Sequence, residues 1–318
     1  AEDTEVLFVN EWLLGVASRI AEAHQLKLIN IAMQPRIKTR QTQIAIMPAW
    51  PSWAPFRETY NVLTYDLMSY FKWFSHARPV NSRLKTDPRL NSLSARDYVA
   101  LFDHTPSLTL ISRHVMPRPS DWAEHHHLTG YLFYDDAGWR PPAKLVNFIQ
   151  SSDAPIYIGF GSIQDRRPDE TTRLILSALK KTRQRAVLLS GWSELGQIDL
   201  PETVYRLDYA PHSWLFPRVK AVVHHAGAGT TAAALRAGIP SVTIPHSGDQ
   251  PFWARRLYQL GAGTVPLPKY RLNSAYLADR IIKALEDEQM RSRAEELGKK
   301  IGDENSVSKT IAVINDLL

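Results

Sequence analysis

"VVHHAGAGTTAAALRAGIP", Val222 to Pro240, decides how the chain is read. An apolar β-branched run ends at His224-His225, a turn spelling Gly227-x-Gly229-x-x-Ala232 follows, and an alanine-rich helix former closes at Gly238-Ile239-Pro240. A glycine turn between strand and helix, with an acid about twenty residues on, is what a dinucleotide-binding domain presents. Asp249 stands at that distance from Gly229. The surrounding strands argue otherwise. In such a domain the glycine turn is the first strand-to-helix connection, whereas "PIYIGF", "AVLLS" and "TVYRL" all precede "KAVVHH" in the same half of the chain. The first turn of that half, Gly159-Phe160-Gly161-Ser162, is short and lacks the third glycine, and Asp249 lies beyond the next strand, inside "HSGDQPFW". An NAD-dependent oxidoreductase is therefore the weaker alternative.

The physics common to such turns survives. Unpaired N–H groups at the helix start converge on one point and the helix dipole adds positive charge, so an anion, phosphate before others, belongs there. Thr230 and Thr231 can cap the helix or donate hydroxyls, and His225 can donate an N–H to the same phosphate and stabilise charge on a departing diphosphate. Adjacent residues of a strand alternate in facing, so one of His224 and His225 faces the ligand.

The 318 residues suffice for one large or two ordinary domains, with 44% apolar residues to fill their cores. There is no cysteine, which excludes disulfides and thiolate metal sites. The net charge of +6 is spread without a dense basic block, so an anionic ligand fits and nucleic acid does not. No apolar run reaches the length of a spanning helix, and the start, Ala1-Glu2-Asp3, reads as trimmed. The expectation is a cytoplasmic protein, peripheral on a membrane.

"EVLFVN", an amphipathic stretch with Leu13, Val16, Ala17, Ile20 and Ala23, and "LKLINIAM" open the chain as strand, helix, strand. "SLTLIS" is a further strand, and the Pro-rich stretches around "LTGYLF" set a domain boundary near Pro141. Beyond it strands and helices alternate, and three amphipathic helices end the chain. The pattern predicts an α/β protein with parallel, doubly wound sheets, divided as 1–140 and 141–318.

"APHSWLFPRV" and the run from Val222 through "IPSVTIPHSGDQPFWARRLYQLGAG" resemble the donor-binding signature of UDP-sugar glycosyltransferases of the GT-B fold, most closely the sterol 3-β-glucosyltransferases and their bacterial relatives. "LTGYLF", "W-x-P-P" and "IYIGFGSI" extend the likeness over most of residues 128 to 265. The resemblance implies two Rossmann-like domains, the N-terminal one lacking its first strands. It implies that His225 contacts the diphosphate, that Gly227, Gly229, Thr230 and Thr231 form the helix start that binds it, and that Ser162 reaches it from the first turn. It further implies that Asp249 and Gln250 hold sugar hydroxyls and that Ala210-Pro211 with Trp192 frame the uracil. A carboxylate beside a carboxamide suits neighbouring hydroxyls, and an indole suits a base face.

The implied reaction is inverting, metal-free transfer of glucose from UDP-glucose to a sterol or similar lipid, with no cofactor beyond the donor. Its general base belongs to a Gly-Ser-x-Gly-Asp type turn that this chain does not contain, so the base is expected upstream of Ala1. A catalytically incomplete UDP-sugar-binding or membrane-binding module is the alternative. The aromatic stretch Trp50 to Phe74, with Trp50, Trp53, Phe56 and Tyr60 at its Pro-rich start, fits an acceptor site or a membrane-facing surface, and an aromatic helical core is its plain alternative. The run His125-His126-His127 reads as a solvated turn.

Overall fold

The computed structural model describes residues 4–79, 92–161, 164–191 and 195–318. By its internal contacts the chain forms two units, residues 1–132 with 304–318, and residues 133–303.

The first unit carries β1 (Val6–Asn10), α1 (Leu14–His24), β2 (Lys27–Ala32), α2 (Arg57–Lys72), α3 (Ala95–His104), β3 (Ser107–Thr109) and β4 (His126–Leu128). Its four strands are all parallel and lie in sequence order. α1 and α3 pack through Leu14, Ala17, Tyr98 and Phe102 against Val9. "SLTLIS" yields only three strand residues, because Ser107–Thr109 alone find partners on β2 and β4. The three histidines are not a solvated turn. His126 lies in β4 and is buried, with Nδ1 2.9 Å from Ser107 Oγ, and His125 Nε2 lies 2.9 Å from the Asp103 carbonyl.

The second unit carries α4 (Ala143–Gln150), β5 (Ile156–Gly159), α5 (Pro168–Thr182), β6 (Ala186–Leu189), β7 (Val204–Leu207), the single turn α6 (His212–Leu215), β8 (Val222–His224), α7 (Ala228–Arg236), β9 (Ser241–Thr243), α8 (Gln250–Gln259), α9 (Ser274–Glu286) and α10 (Glu288–Gly302). Its parallel sheet has the order β7-β6-β5-β8-β9. The strands are continuous apolar runs because both faces are covered. Ile156, Ile158, Leu188 and Val223 point into the core beneath α5 and α9, while Tyr157, Val187 and Val222 point into the one formed with α4, α6 and α7. Helix ends follow charge: α5 starts with Pro168, Asp169 and Glu170 and ends on Lys180 and Lys181, which suits its dipole.

The last helix, α11 (Ser306–Leu317), groups with the first unit, where the sequence division had kept it with the second. The cause is polar: Lys309 Nζ donates to the Leu128 carbonyl at 2.6 Å, and Glu304 Oε1 accepts from Ser112 Oγ at 3.0 Å. An amphipathic stripe shows that a helix packs but not against what.

Candidate donor site

The second sheet reverses its winding between β5 and β8, which pair in register at Gly159 and His224. Crevices at the carboxyl ends of strands open where strand order reverses. The turn after β5, with Gly161, and the turn after β8, with Gly227, therefore stand side by side at the carboxyl ends of adjacent strands, where a ligand crevice is expected. The glycine turn of Val222–Pro240 follows the fourth strand of this sheet and not the first, which is the position that distinguishes it from a dinucleotide turn.

His225 fills the space between those turns and is 8% exposed. A Cβ at Gly161 would stand 2.6 Å from His225 Cε1, and one at Gly227 would collide with His225 Nε2. Gly161 also has φ +63°, a second reason for glycine there. His224 points the other way. It is fully buried, and its Nδ1 accepts the Ala226 N–H at 3.2 Å. That bond supports Ala226 at φ +64°, a left-handed conformation that costs a residue with a Cβ on the order of 1 kcal/mol.

Burial keeps these imidazoles neutral. It lowers His224 to about 3 and His212 to about 4. His225 falls to about 4 through burial first and the neighbouring His246 and His212 second. His225 thus meets a ligand as a neutral ring with one N–H to give, and the standing positive potential comes from α7. Gly227 is the N-cap of that helix, and Thr231 N–H is already bonded to the Gly227 carbonyl at 2.9 Å, so the N–H groups of Ala228, Gly229 and Thr230 precede it as helix-start donors. Thr230 is half-buried. Thr231 is buried, with Oγ1 lacking a hydrogen-bond partner among the described residues.

Gly229 gives a clean test of this helix start, because no atom of the described residues lies within 4 Å of where its Cβ would stand. Gly229→Ala should fold at least as well as the parent, since alanine is favoured over glycine in a helix by about 1 kcal/mol. The added methyl group stands over the site of the proposed anion, so UDP affinity should fall about tenfold or more. Calorimetry with UDP and a thermal melt measure both; unchanged UDP affinity would move the anion elsewhere.

Asp249 stands at the N-cap position of α8, without a side-chain capping bond, after a turn at Gly248, φ +65°. Its Oδ2 accepts the indole N–H of Trp253 at 2.8 Å. Gln250 Oε1 accepts the His246 N–H at 2.7 Å and the Ser247 N–H at 3.2 Å. Those donors identify the oxygen of the amide and turn its NH2 end away from the loop. Ala210 packs in the core with Leu207, Leu215 and Phe216, and Pro211 is the N-cap of α6, so this stretch can meet a base through its backbone. Ser162 and Trp192 lie outside the described residues.

Sequence reasoning missed the neighbours that tie the loops down. Lys269 Nζ donates to Asp165 Oδ2 at 2.7 Å and to Thr171 Oγ1 at 3.0 Å, which fastens the segment after Gly161 to the segment after β9. Trp253 was also missed, although its i, i+4 spacing from Asp249 at a helix start was a visible signal.

In the first unit, Trp50 and Tyr60 organise their own loop. Trp50 Nε1 donates to the Pro55 carbonyl at 2.8 Å, Tyr60 Oη donates to the Pro48 carbonyl at 2.7 Å, and the rings lie 4.6 Å apart. Trp53 and Phe56 project outward, 85% and 78% exposed, with Phe56 held at φ +61°. The aromatic helix is not a core helix. α2 turns Asn61, Thr64, Tyr65 and Lys72 inward and leaves Leu63, Leu67, Tyr70 and Phe71 exposed. The inward polar groups are bonded: Asn61 Nδ2 donates to the Arg40 carbonyl, Thr64 Oγ1 accepts the Ile44 N–H, and Lys72 lies 3.3 Å from Glu11. Among the described residues there is no metal-competent cluster of His, Cys, Asp or Glu, and no helix long and apolar enough to cross a membrane.

A family model described as the erythromycin biosynthesis protein CIII-like C-terminal domain matches residues 186–314, from β6 through the helix start and Asp249 into α11. A sterol 3-beta-glucosyltransferase of Arabidopsis thaliana, UGT80A2, is 38% identical over 257 residues, which covers 78% of this chain and 39% of the plant protein. The chain is a homologue of the sterol 3-beta-glucosyltransferases. A sterol 3-beta-glucosyltransferase of Cryptococcus neoformans is 36% identical over 285 residues, covering 81% of this sterol glucosyltransferase homologue and 18% of the fungal protein. The O-mycaminosyltylonolide 6-deoxyallosyltransferase of Streptomyces fradiae is 38% identical over 212 residues, 66% of this chain and 49% of its own. The chain thus spans less than half the length of these relatives. Among solved structures, the glycotransferase of kitacinnamycin superposes with a TM-score of 0.73 at 18% identity, over 100% of this homologue and 76% of that chain. The calicheamicin glycosyltransferase CalG4 gives 0.66 at 17% identity over 99% and 75%. The fold is GT-B, with two Rossmann-like units.

Proposed function

We propose that this sterol glucosyltransferase homologue moves glucose from UDP-glucose to the hydroxyl of a sterol or similar lipid, with inversion at the anomeric carbon. The observation that carries the reading is the reversal of strand order between β5 and β8. It brings the helix start at Gly229 and the imidazole of His225 to the carboxyl end of the sheet, and the Asp249–Gln250 pair follows the next strand. The acceptor oxygen attacks the anomeric carbon, the bond to the diphosphate breaks with its electron pair leaving on UDP, and the acceptor proton passes to a base. In this reading the N–H groups of α7 and His225 receive the charge that develops on the diphosphate. They take the part that a divalent cation would otherwise play, so transfer should be insensitive to a chelator. Asp249 and Gln250 bind sugar hydroxyls, Ala210-Pro211 with Trp192 frame the uracil, and Ser162 reaches the diphosphate. The sterol and glucose assignments draw on the names of the relatives.

The acceptor belongs on the first unit, at Trp50, Trp53, Phe56 and Tyr60. An exposed Trp and a Phe in a left-handed conformation are held apart from any core, and backbone strain of that kind collects at working sites. The same apolar stripe of α2 suits contact with the lipid surface in which such an acceptor resides.

Radiolabelled transfer from UDP-glucose to a sterol presented in vesicles tests the reaction, with NADH as the competing ligand in a binding titration. Binding of NADH in preference to UDP would overturn the reading. Trp53→Ala with Phe56→Ala should raise the acceptor KM about tenfold or more, in line with losing one or two buried aromatic contacts, while UDP affinity stays unchanged. Equal loss on both sides would show that these rings support the fold and not the acceptor.

A further inference from the structure

We propose that Trp253 is a positioning residue for sugar recognition, acting through Asp249. Trp253 is 1% exposed and has the largest fully buried side chain among the described residues, so it touches no ligand itself. Its ring is set edge-on to Phe252, with centroids 5.0 Å apart, and its only polar atom donates to Asp249 Oδ2 at 2.8 Å. An Asp at a helix N-cap ordinarily turns its carboxylate back onto the N–H groups of the first turn. Asp249 makes no such capping bond. The indole instead holds the carboxylate on the Trp253 side of the helix start, next to the loop where Gln250 is fixed by two backbone N–H groups.

The two residues are thereby given opposite hydrogen-bonding characters. Asp249 is set as an acceptor whose rotation is fixed by Trp253, and Gln250 is set as a donor whose carbonyl oxygen is engaged by the loop. A pair of adjacent sugar hydroxyls can meet both, one donating to the carboxylate and the other accepting from the amide. A hydrogen bond to a charged group in a buried setting is worth enough to change affinity about tenfold. Trp253 supplies no contact to the nucleotide, so the effect falls on the sugar alone. This inference rests on the reading of Asp249 as a sugar ligand.

The test compares UDP with UDP-glucose by calorimetry in Trp253→Phe, in Asp249→Ala and in the double variant. A protein with β-(3-benzothienyl)alanine at position 253 repeats it with indole shape but no N–H, so a packing defect cannot stand in for the lost bond. Both position-253 variants should bind UDP-glucose about tenfold more weakly and bind UDP as the parent does. In the Asp249→Ala background, Trp253→Phe should add no further loss. An additive loss, or a parallel loss of UDP affinity in the benzothienyl variant, overturns the positioning role. If Asp249→Ala itself leaves UDP-glucose affinity intact, the sugar-ligand reading fails first and the inference falls with it.

Discussion

Replacing His225 by alanine should lower the rate of sugar transfer by about a hundredfold or more, the usual cost of removing a preorganised electrostatic stabiliser. The ring stands where the turn after β5 and the turn after β8 meet, close against Gly161 and Gly227. Burial leaves it neutral before donor binds, so its contribution grows as negative charge gathers on the departing diphosphate. His224→Ala is the control. His224 faces the core and holds the Ala226 N–H, so its loss should lower the melting temperature far more than the turnover of molecules that remain folded. Steady-state kinetics normalised to folded protein separate the two. Equal losses of turnover would reverse the assignment of the facing histidine.

Acid should unfold the second unit well before its carboxylates titrate. His212, His224 and His225 protonate near pH 6.5 in an unfolded chain but only at about 4, 3 and 4 in the folded one. Between those values the unfolded state binds more protons, so stability is full above about pH 6.5 and is lost as pH falls toward 4. Each unit of depression is worth about 1.4 kcal/mol. His224 and His225 alone are enough to consume much of the roughly 5–15 kcal/mol that holds a typical domain. Urea midpoints measured from pH 8 to pH 4.5 should be flat at first and then drop steeply. A midpoint that holds constant down to pH 5 would show that water or a bound anion relieves these rings.

The donor-side fold was legible because its strands are short, apolar on both faces and separated by helices with clear ends. Ile156–Gly159, Ala186–Leu189 and Val222–His224 all fall inside runs that β-branched composition marks. The strand-order argument against a dinucleotide turn needed only their number and sequence. α2 was legible as a helix but not in its orientation. Periodicity shows that Leu63, Leu67 and Tyr70 share a face; it cannot show that Asn61, Thr64 and Lys72 opposite them find partners at Arg40, Ile44 and Glu11. Those partners are distant in sequence, and they decide which face is inside. β4 was hidden for a related reason, since histidine marks a strand only when a neighbour such as Ser107 meets the buried ring. The bond from Trp253 to Asp249 was within reach, because helix spacing alone puts those residues on one side. The tie from Lys269 to Asp165 was not, since more than a hundred residues separate its ends.

The imidazole of His225 is closely packed. With Gly161 and Gly227 both against the ring and only 8% of the residue exposed, the side chain gives up torsional freedom when the chain folds. A side chain that must be immobilised on association costs about 0.5–1.5 kcal/mol in entropy. At this position folding has met that cost in part before donor arrives, so less of the contact's enthalpy is offset on binding.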